Sequence, residues 1–171
     1  MTLYDLAMPT YHNMLKAIDR YLAKAAEHGA DDSILQERLY EDMHPLSTQI
    51  RFACNLPFEG LQRLTGTQFT SLEDDPASLE TARKMIAEAL DRLHTYDAVS
   101  FPEPDTMMVL DLPNGMLFDL TTEQYLREYS FPNFYFHTSM AYAILRMKGV
   151  PIGKMEVMGH MMAFMRQPAP A

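Results

Sequence analysis

The sequence is poor in the residues that several functional classes depend on. Its 171 residues include one cysteine, no tryptophan, seven glycines, and only 14 lysines and arginines against 23 aspartates and glutamates. The single thiol, Cys54, cannot form an internal disulfide, which is typical of proteins in a reducing cytoplasm. The net charge of −9, with no basic cluster, argues against a nucleic-acid partner and against an anionic membrane surface.

Long apolar runs are missing as well. No stretch approaches the ~18 consecutive apolar residues of a membrane span. The first residues contain no basic region followed by an apolar run, so no secretory signal is expected. We therefore expect a cytoplasmic protein with one domain over residues 1–165 and a flexible tail over residues 166–171.

Helical periodicity covers most of the chain. Apolar residues recur at three- and four-residue spacing and predict four long helices, over residues 2–28, 45–64, 76–96 and 131–149. Helices with one apolar stripe bury it best against one another, so the sequence predicts an all-α four-helix bundle. Asn114 and Gly115, between two apolar segments, predict a small β-hairpin between helices three and four. A short helix up to about Tyr129 should follow the hairpin.

The fourth predicted helix carries a polar pair on its apolar face. Pro132 suits the first position of a helix, and Gly149 supplies the left-handed stop. Asn133 and His137 are four residues apart and therefore neighbours on one face. A buried polar group without a partner costs about 1–3 kcal/mol. We predict that Gln49, on the apolar face of the second helix, is the partner of this pair.

Three roles are open for His137: a metal ligand, a general base, or a core histidine satisfied by its neighbours. No carboxylate shares its stripe to tune its pKa, so a structural cluster of Gln49, Asn133 and His137 is favoured. The aromatic residues beside it, including Tyr135, are typical of a core but also suit a pocket for a small-molecule ligand. The residues that we expect to bind such a ligand are Gln49, Asn133, Tyr135 and His137.

Methionine is unusually abundant, with 15 residues. Its flexible thioether fills irregular cores and is common on adaptable binding surfaces. A homodimer formed through a methionine-rich surface is therefore expected.

Three segments resemble a known bacterial family. They are PNFYFH (132–137), AYAILRMKGVPIGK (141–154) and DMHPLSTQIRFAC (42–54). Together they resemble a domain of unknown function that is grouped with the DinB/YfiT-like metalloenzymes. The resemblance implies an up-down-down-up four-helix bundle that is often dimeric. It also implies a divalent metal, nickel or zinc, bound by one histidine on helix two and an H-x-x-x-H pair on helix four.

The metal ligands of that superfamily are only partly present in this sequence. His137 matches the second histidine of the helix-four pair, and Asn133 stands at the first position. The helix-two position falls at or near Gln49 or Ala53. Because amides are poor ligands for zinc or nickel, the sequence favours a small-ligand-binding or structural module with a degenerate metal site and no cofactor. The alternative is a divalent-metal-dependent transferase or hydrolase centred on His137.

Overall fold

Four long helices and one β-hairpin form the computed structural model, which describes residues 1–166. The α-helices are α1 (Leu3–Glu27), α2 (Leu46–Thr65), α3 (Leu79–Leu93), α4 (Thr122–Gln124), α5 (Phe131–Met147) and α6 (Lys154–Val157). The strands are β1 (Met107–Asp111) and β2 (Leu117–Thr121), and the 3-10 helices cover Asp32–Gln36, His94–Tyr96 and Gly159–Phe164. Of the tail predicted to be flexible, all but Arg166 lies outside the described residues.

Side-chain caps fix the starts of two of the four long helices, α1 and α3. The Thr2 hydroxyl accepts a hydrogen bond from the Asp5 N–H, and the Asp5 carboxylate accepts one from the Thr2 N–H. Such a capping box satisfies two donors that a helix start leaves free. The Ser78 hydroxyl caps α3 in the same way. Helix α3 therefore begins at Leu79, later than the predicted start at residues 76–77.

The long helices pack in pairs around one apolar core. Helix α1 contacts α3 and α5, and α2 contacts the same two helices. Many of the largest fully buried side chains lie on α1, α2 and α5. They include Tyr11, Leu15, Ile18 and Tyr21 on α1, Leu46, Ile50 and Phe58 on α2, and Phe134 on α5. Within residues 1–166, no helix has both the length and the apolar character to cross a membrane.

The predicted hairpin is present between α3 and α5. Strands β1 and β2 pair in antiparallel register, with Val109 opposite Asp119. The Asn114 side chain accepts a hydrogen bond from the Met116 N–H, and Gly115 has a φ of 84°, which few other residues adopt without strain. Leu110 is buried, so one face of the hairpin packs on the helical core.

Helix α5 begins at Phe131 with Pro132 in its first turn, as predicted. The residues before it are also helical: the backbone is helical from Thr122, and residues Tyr125–Ser130 form a π-helical segment that leads into α5. The Phe131 N–H bonds to the Leu126 carbonyl, five residues back. The short helix predicted up to about Tyr129 is therefore joined to α5 without a break.

The one cysteine is a packed core residue. Cys54 is buried in α2, and burial raises the pKa of its thiol to about 12. The thiol stays protonated near neutral pH, and only the thiolate is a strong nucleophile. Cys54 therefore acts as a packing residue and is a poor nucleophile near neutral pH.

Candidate functional site

A cavity of about 510 Å³ opens between α2, α5 and the connection from α2 to α3. Both polar residues singled out on α5, Asn133 and His137, lie on its wall. The remaining lining residues come from α2 and from the connection: Arg51, Phe52, Asn55, Leu56, Glu59, Ser71, Leu72 and Glu73. The cavity therefore combines seven polar residues with one phenylalanine and two leucines.

His137 is held in one orientation by Gln49. The Gln49 side chain is only 1% exposed, and its amide nitrogen donates to the His44 carbonyl at 3.2 Å. This bond directs the amide oxygen toward His137, where it lies 2.8 Å from Nδ1. Since an amide oxygen only accepts, Nδ1 must carry the proton. The Gln49 contact thereby fixes the tautomer of His137 and leaves Nε2 as a hydrogen-bond acceptor.

His137 is neutral at physiological pH. Burial lowers its pKa to about 4, and the electrostatic influence of the neighbouring His44 acts in the same direction. Its Nε2 atom has no hydrogen-bond partner within residues 1–166 and is not sealed from solvent. An unprotonated imidazole nitrogen of this kind can accept a proton or a hydrogen bond from a molecule in the cavity.

The low pKa of His137 should make the fold less stable in acid. Its pKa is about 4 in the folded chain against an ordinary 6.5, so between these values the unfolded chain binds a proton that the folded chain does not. Stability therefore falls as the pH drops through this range. We expect a loss of about 1–2 kcal/mol in the free energy of unfolding, since solvent screens a half-exposed ring. Urea unfolding at about pH 7 and about pH 4.5 measures it.

The matched control is His137→Gln, whose side chain does not titrate. Its free energy of unfolding should fall less over the same pH range, by the amount assigned to His137. Equal losses in the two proteins would show that other groups account for the acid sensitivity.

The connection between α2 and α3 is held against α2 by hydrogen bonds and forms one wall of the cavity. The buried Asn55 side chain donates to the Leu72 carbonyl and accepts from the Leu72 N–H, both at 2.9 Å. Arg51 bonds to the Leu72 carbonyl at 3.2 Å and to the Asp75 carboxylate at 2.6 Å. Asp75 also accepts from the Thr48 hydroxyl. These contacts hold Ser71 to Glu73 at the cavity without a helix or strand.

Asn133 and His137 lie beside the buried face of α5 and not on it. That face consists of Phe134, Thr138, Ala141, Ile144 and Leu145. Asn133 is half-buried, and its side chain forms no hydrogen bond with residues 1–166. The predicted contact of Gln49 with His137 is confirmed, whereas no hydrogen bond joins Gln49 to Asn133 in the described chain.

Tyr135 lies away from the cavity. Its side chain is 42% exposed and packs against Phe131 and Phe134. Residues 135 and 137 point in different directions because successive helical residues are about 100° apart. The structure therefore brings together three of the four predicted ligand-binding residues, with Gln49 behind His137 and Tyr135 on a separate surface.

The residues at the implied metal position do not form the donor set that zinc or nickel prefers. The three positions hold one imidazole, His137, and the side chains of Asn133 and either Gln49 or Ala53. The Gln49 amide is already committed to two hydrogen bonds, and Ala53 has no donor atom. Within residues 1–166, no three His, Cys, Asp or Glu side chains lie together as a metal site. Structural and catalytic zinc sites need at least three protein ligands.

Several cavity residues were not predicted as site residues. Arg51, Asn55 and Glu59 recur at spacings of four on α2 and thus form a polar stripe next to the apolar one. That spacing could have indicated from the sequence that these three residues share one side of α2. The contribution of residues 71–73 had no local signal, because it depends on side-chain contacts across the chain.

The comparisons with known proteins agree with this fold. A crystal structure of a DinB family member protein from Shewanella denitrificans superposes with a TM-score of 0.73 at 29% sequence identity, covering 99% of this chain and 95% of that chain. No curated protein matches the chain. A family profile described as "Domain of unknown function (DUF1993)" matches residues 3–158. The chain therefore belongs to the DUF1993 family and is similar in fold to a DinB family protein.

Proposed function

We propose that this DinB-like protein binds a small polar molecule in the cavity beside His137. The observation that carries the proposal is the state of His137 on the cavity wall: a neutral ring, fixed by the buried Gln49, whose Nε2 has no partner within residues 1–166 and is not sealed from solvent. A merely structural histidine would have both ring nitrogens bonded or sealed by the protein. Here the support for one nitrogen leaves the other available to a ligand.

The size and lining of the cavity support the same function. Its volume of about 510 Å³ falls in the range of about 300–1,000 Å³ that is usual for small-molecule sites. Phe52 and Leu56 offer apolar surface, and Asn133 presents an amide with no protein partner within residues 1–166. Such sites commonly combine apolar walls with a few polar groups that orient the ligand.

The proposal includes an up-down-down-up four-helix bundle as the scaffold. Tyr4 at the start of α1 bonds to Asp97 just after α3, so α1 and α3 run in opposite directions. The contacts Tyr11–Phe134 and Tyr21–Tyr142 support parallel α1 and α5. The contacts of Thr48 with Asp75 and of Phe58 with Tyr96 support parallel α2 and α3. In this arrangement α2 and α5, which form the site, are antiparallel.

Asn133→Ala should weaken ligand binding without weakening the fold. Its side chain lines the cavity and bonds to no described residue, so truncation leaves no buried group unpaired. We expect an affinity loss of about tenfold, the equivalent of one lost hydrogen bond. An NMR screen of small polar compounds, followed on the backbone amides of α2 and α5, identifies the ligand and measures the loss.

Ser139→Ala provides the matched control, because Ser139 is exposed on α5 outside the cavity. Its ligand affinity should equal that of the unaltered protein. The proposal fails if no compound perturbs the cavity residues. It also fails if Asn133→Ala and Ser139→Ala bind a cavity ligand equally well.

A second candidate is a divalent-metal-dependent transferase or hydrolase centred on His137. One observation favours it: a neutral imidazole with a free Nε2 is also what a metal ion requires of a histidine ligand. The metal content of protein incubated with nickel, zinc or manganese and then desalted separates the candidates. Stoichiometric metal that is lost in His137→Gln would replace the small-ligand proposal with this one.

Cellular location and assembly complete the proposal. A cytoplasmic location is supported by the single, buried Cys54. Homodimerisation stays a prediction, and the exposed methionines that would serve it include Met155, Met161, Met162 and Met165.

A further inference from the structure

We propose that the ligand of the His137 cavity is a small organic cation, such as an alkylammonium compound. This inference rests on the proposed function and adds the chemical class of the ligand. It follows from three properties of the cavity: the unpaired negative charges on its wall, the excess of hydrogen-bond acceptors, and the apolar surface of Phe52 and Leu56.

The one positive charge on the cavity wall is already neutralised. The Arg51 guanidinium pairs with Asp75 at 2.6 Å, bonds to the Leu72 carbonyl at 3.2 Å, and lies 4.7 Å from the centre of the Phe52 ring. Its side chain is only 18% exposed. Because this charge is already paired, an anionic ligand would gain little net attraction from Arg51.

Two negative charges on the same wall have no such partner. Glu59 accepts a hydrogen bond from the Ser71 hydroxyl at 2.9 Å through one carboxylate oxygen. Within residues 1–166, no lysine, arginine or histidine forms an ion pair with Glu59 or Glu73. Because Arg51 and Asp75 cancel, these two carboxylates give the cavity a net negative charge. A cation in the cavity would gain their attraction without breaking an existing pair.

The hydrogen-bonding groups show the same preference. His137 Nε2 is an acceptor, since its proton lies on Nδ1, and the carboxylates of Glu59 and Glu73 only accept. The Asn55 amide donates to the Leu72 carbonyl and accepts from the Leu72 N–H. The Asn133 side chain has no hydrogen-bond partner within residues 1–166, and its amide can still donate. A ligand that fits this set must itself supply several donors, as an ammonium group does with three.

Phe52 and Leu56 suit the hydrocarbon part of such a ligand. Both are half-buried on α2 and line the cavity, and the centre of the Phe52 ring lies 4.8 Å from that of His137. Contact with them would remove apolar ligand surface from water. A metal cation would gain nothing from this surface, and the described residues bring no three metal-binding side chains together. The lining therefore favours an organic cation.

The test compares three probes of equal chain length: pentylamine, 1-pentanol and pentanoate. Binding is followed by NMR on the full chain through Asn133, His137 and the amides of α2. We expect pentylamine to bind at least about tenfold more tightly than either other probe, because its hydrogen bonds to carboxylates are charge-assisted. Its affinity should also fall as salt is added.

Glu59→Gln tests whether the charge of the Glu59 carboxylate attracts the cation. Glutamine keeps an oxygen to accept from Ser71 and loses the charge, so the fold should be unchanged while pentylamine binds about tenfold more weakly. Glu80→Gln is the control, since Glu80 is exposed on the first turn of α3 outside the cavity. Its pentylamine affinity should stay within about twofold of the original.

The outcomes separate this inference from the proposed function. If pentanol or pentanoate perturbs the cavity residues as strongly as pentylamine does, the cation assignment is overturned and the binding site stands. The same holds if Glu59→Gln and Glu80→Gln bind pentylamine equally. If zinc or nickel binds at the cavity and pentylamine does not, the organic cation is overturned. If no probe and no screened compound reaches the cavity, both proposals fall.

Discussion

Replacing Gly60 with alanine is expected to lower the free energy of unfolding by about 2 kcal/mol. A Cβ atom at this position in α2 would lie 2.9 Å from the Ser130 hydroxyl and 3.0 Å from the Tyr11 hydroxyl. These two buried groups are hydrogen-bonded to each other at 2.7 Å. Overpacking and loss of this bond should cost about 3 kcal/mol, offset by about 1 kcal/mol from the better helix propensity of alanine. Urea unfolding measures the difference.

Ser130→Ala supplies the partner for a double-mutant cycle. Removing the Ser130 hydroxyl makes room for the new methyl group, so the double mutant should lose less stability than the two single changes added together. Gly60→Ala with unchanged or increased stability would contradict the close approach of α2 to the π-helical segment. Purely additive losses would contradict the contact with Ser130.

Replacing Gln49 with leucine in the unaltered protein is also expected to lower the free energy of unfolding by about 2 kcal/mol. The leucine keeps the volume of the buried side chain but removes the one partner that His137 Nδ1 has within residues 1–166. A buried donor left without an acceptor costs about 1–3 kcal/mol. The change should also weaken ligand binding, because the tautomer of His137 is no longer fixed. Thermal and urea unfolding give the stability, and ligand titration gives the second effect.

The double mutant with His137→Leu tests whether the two residues act as a pair. Removing both partners leaves no unpaired donor, so the double change should be less harmful than the sum of the single changes. Losses that add would mean that the hydrogen bond contributes nothing to stability. Asn13 is a half-exposed residue on α1. The substitution Asn13→Leu serves as a control for the loss of a side-chain amide elsewhere in the protein.

Much of the fold could be predicted from the sequence because its signals are local. Thr2 and Gly66 mark helix ends through their own side chain or backbone conformation. Asn114 and Gly115 specify a turn within four residues. The contact of Gln49 with His137 spans 88 positions, yet it was predictable because each is a polar residue at helical spacing from apolar residues and so needs a partner.

The rest depended on contacts that no short window contains. Pro132 marks the start of α5, but no local signal indicated that a π-helical segment joins α5 to the preceding helix. The wall formed by Leu72 and its neighbours is held by Asn55 and Arg51 from another element.

The position of Tyr135 outside the cavity did have a local signal. Its angular position on α5 differs from that of His137 by two residues, about 200°, so the helical period alone separates the two side chains.

The most direct test of the site is nitrogen-15 NMR of the His137 imidazole ring in the full chain at about pH 6 to 8. The Gln49 contact predicts a neutral ring throughout, with the proton on Nδ1 and an unprotonated Nε2 whose resonance shifts when a cavity ligand is added. A charged ring at about pH 6, or a proton on Nε2, would contradict the account.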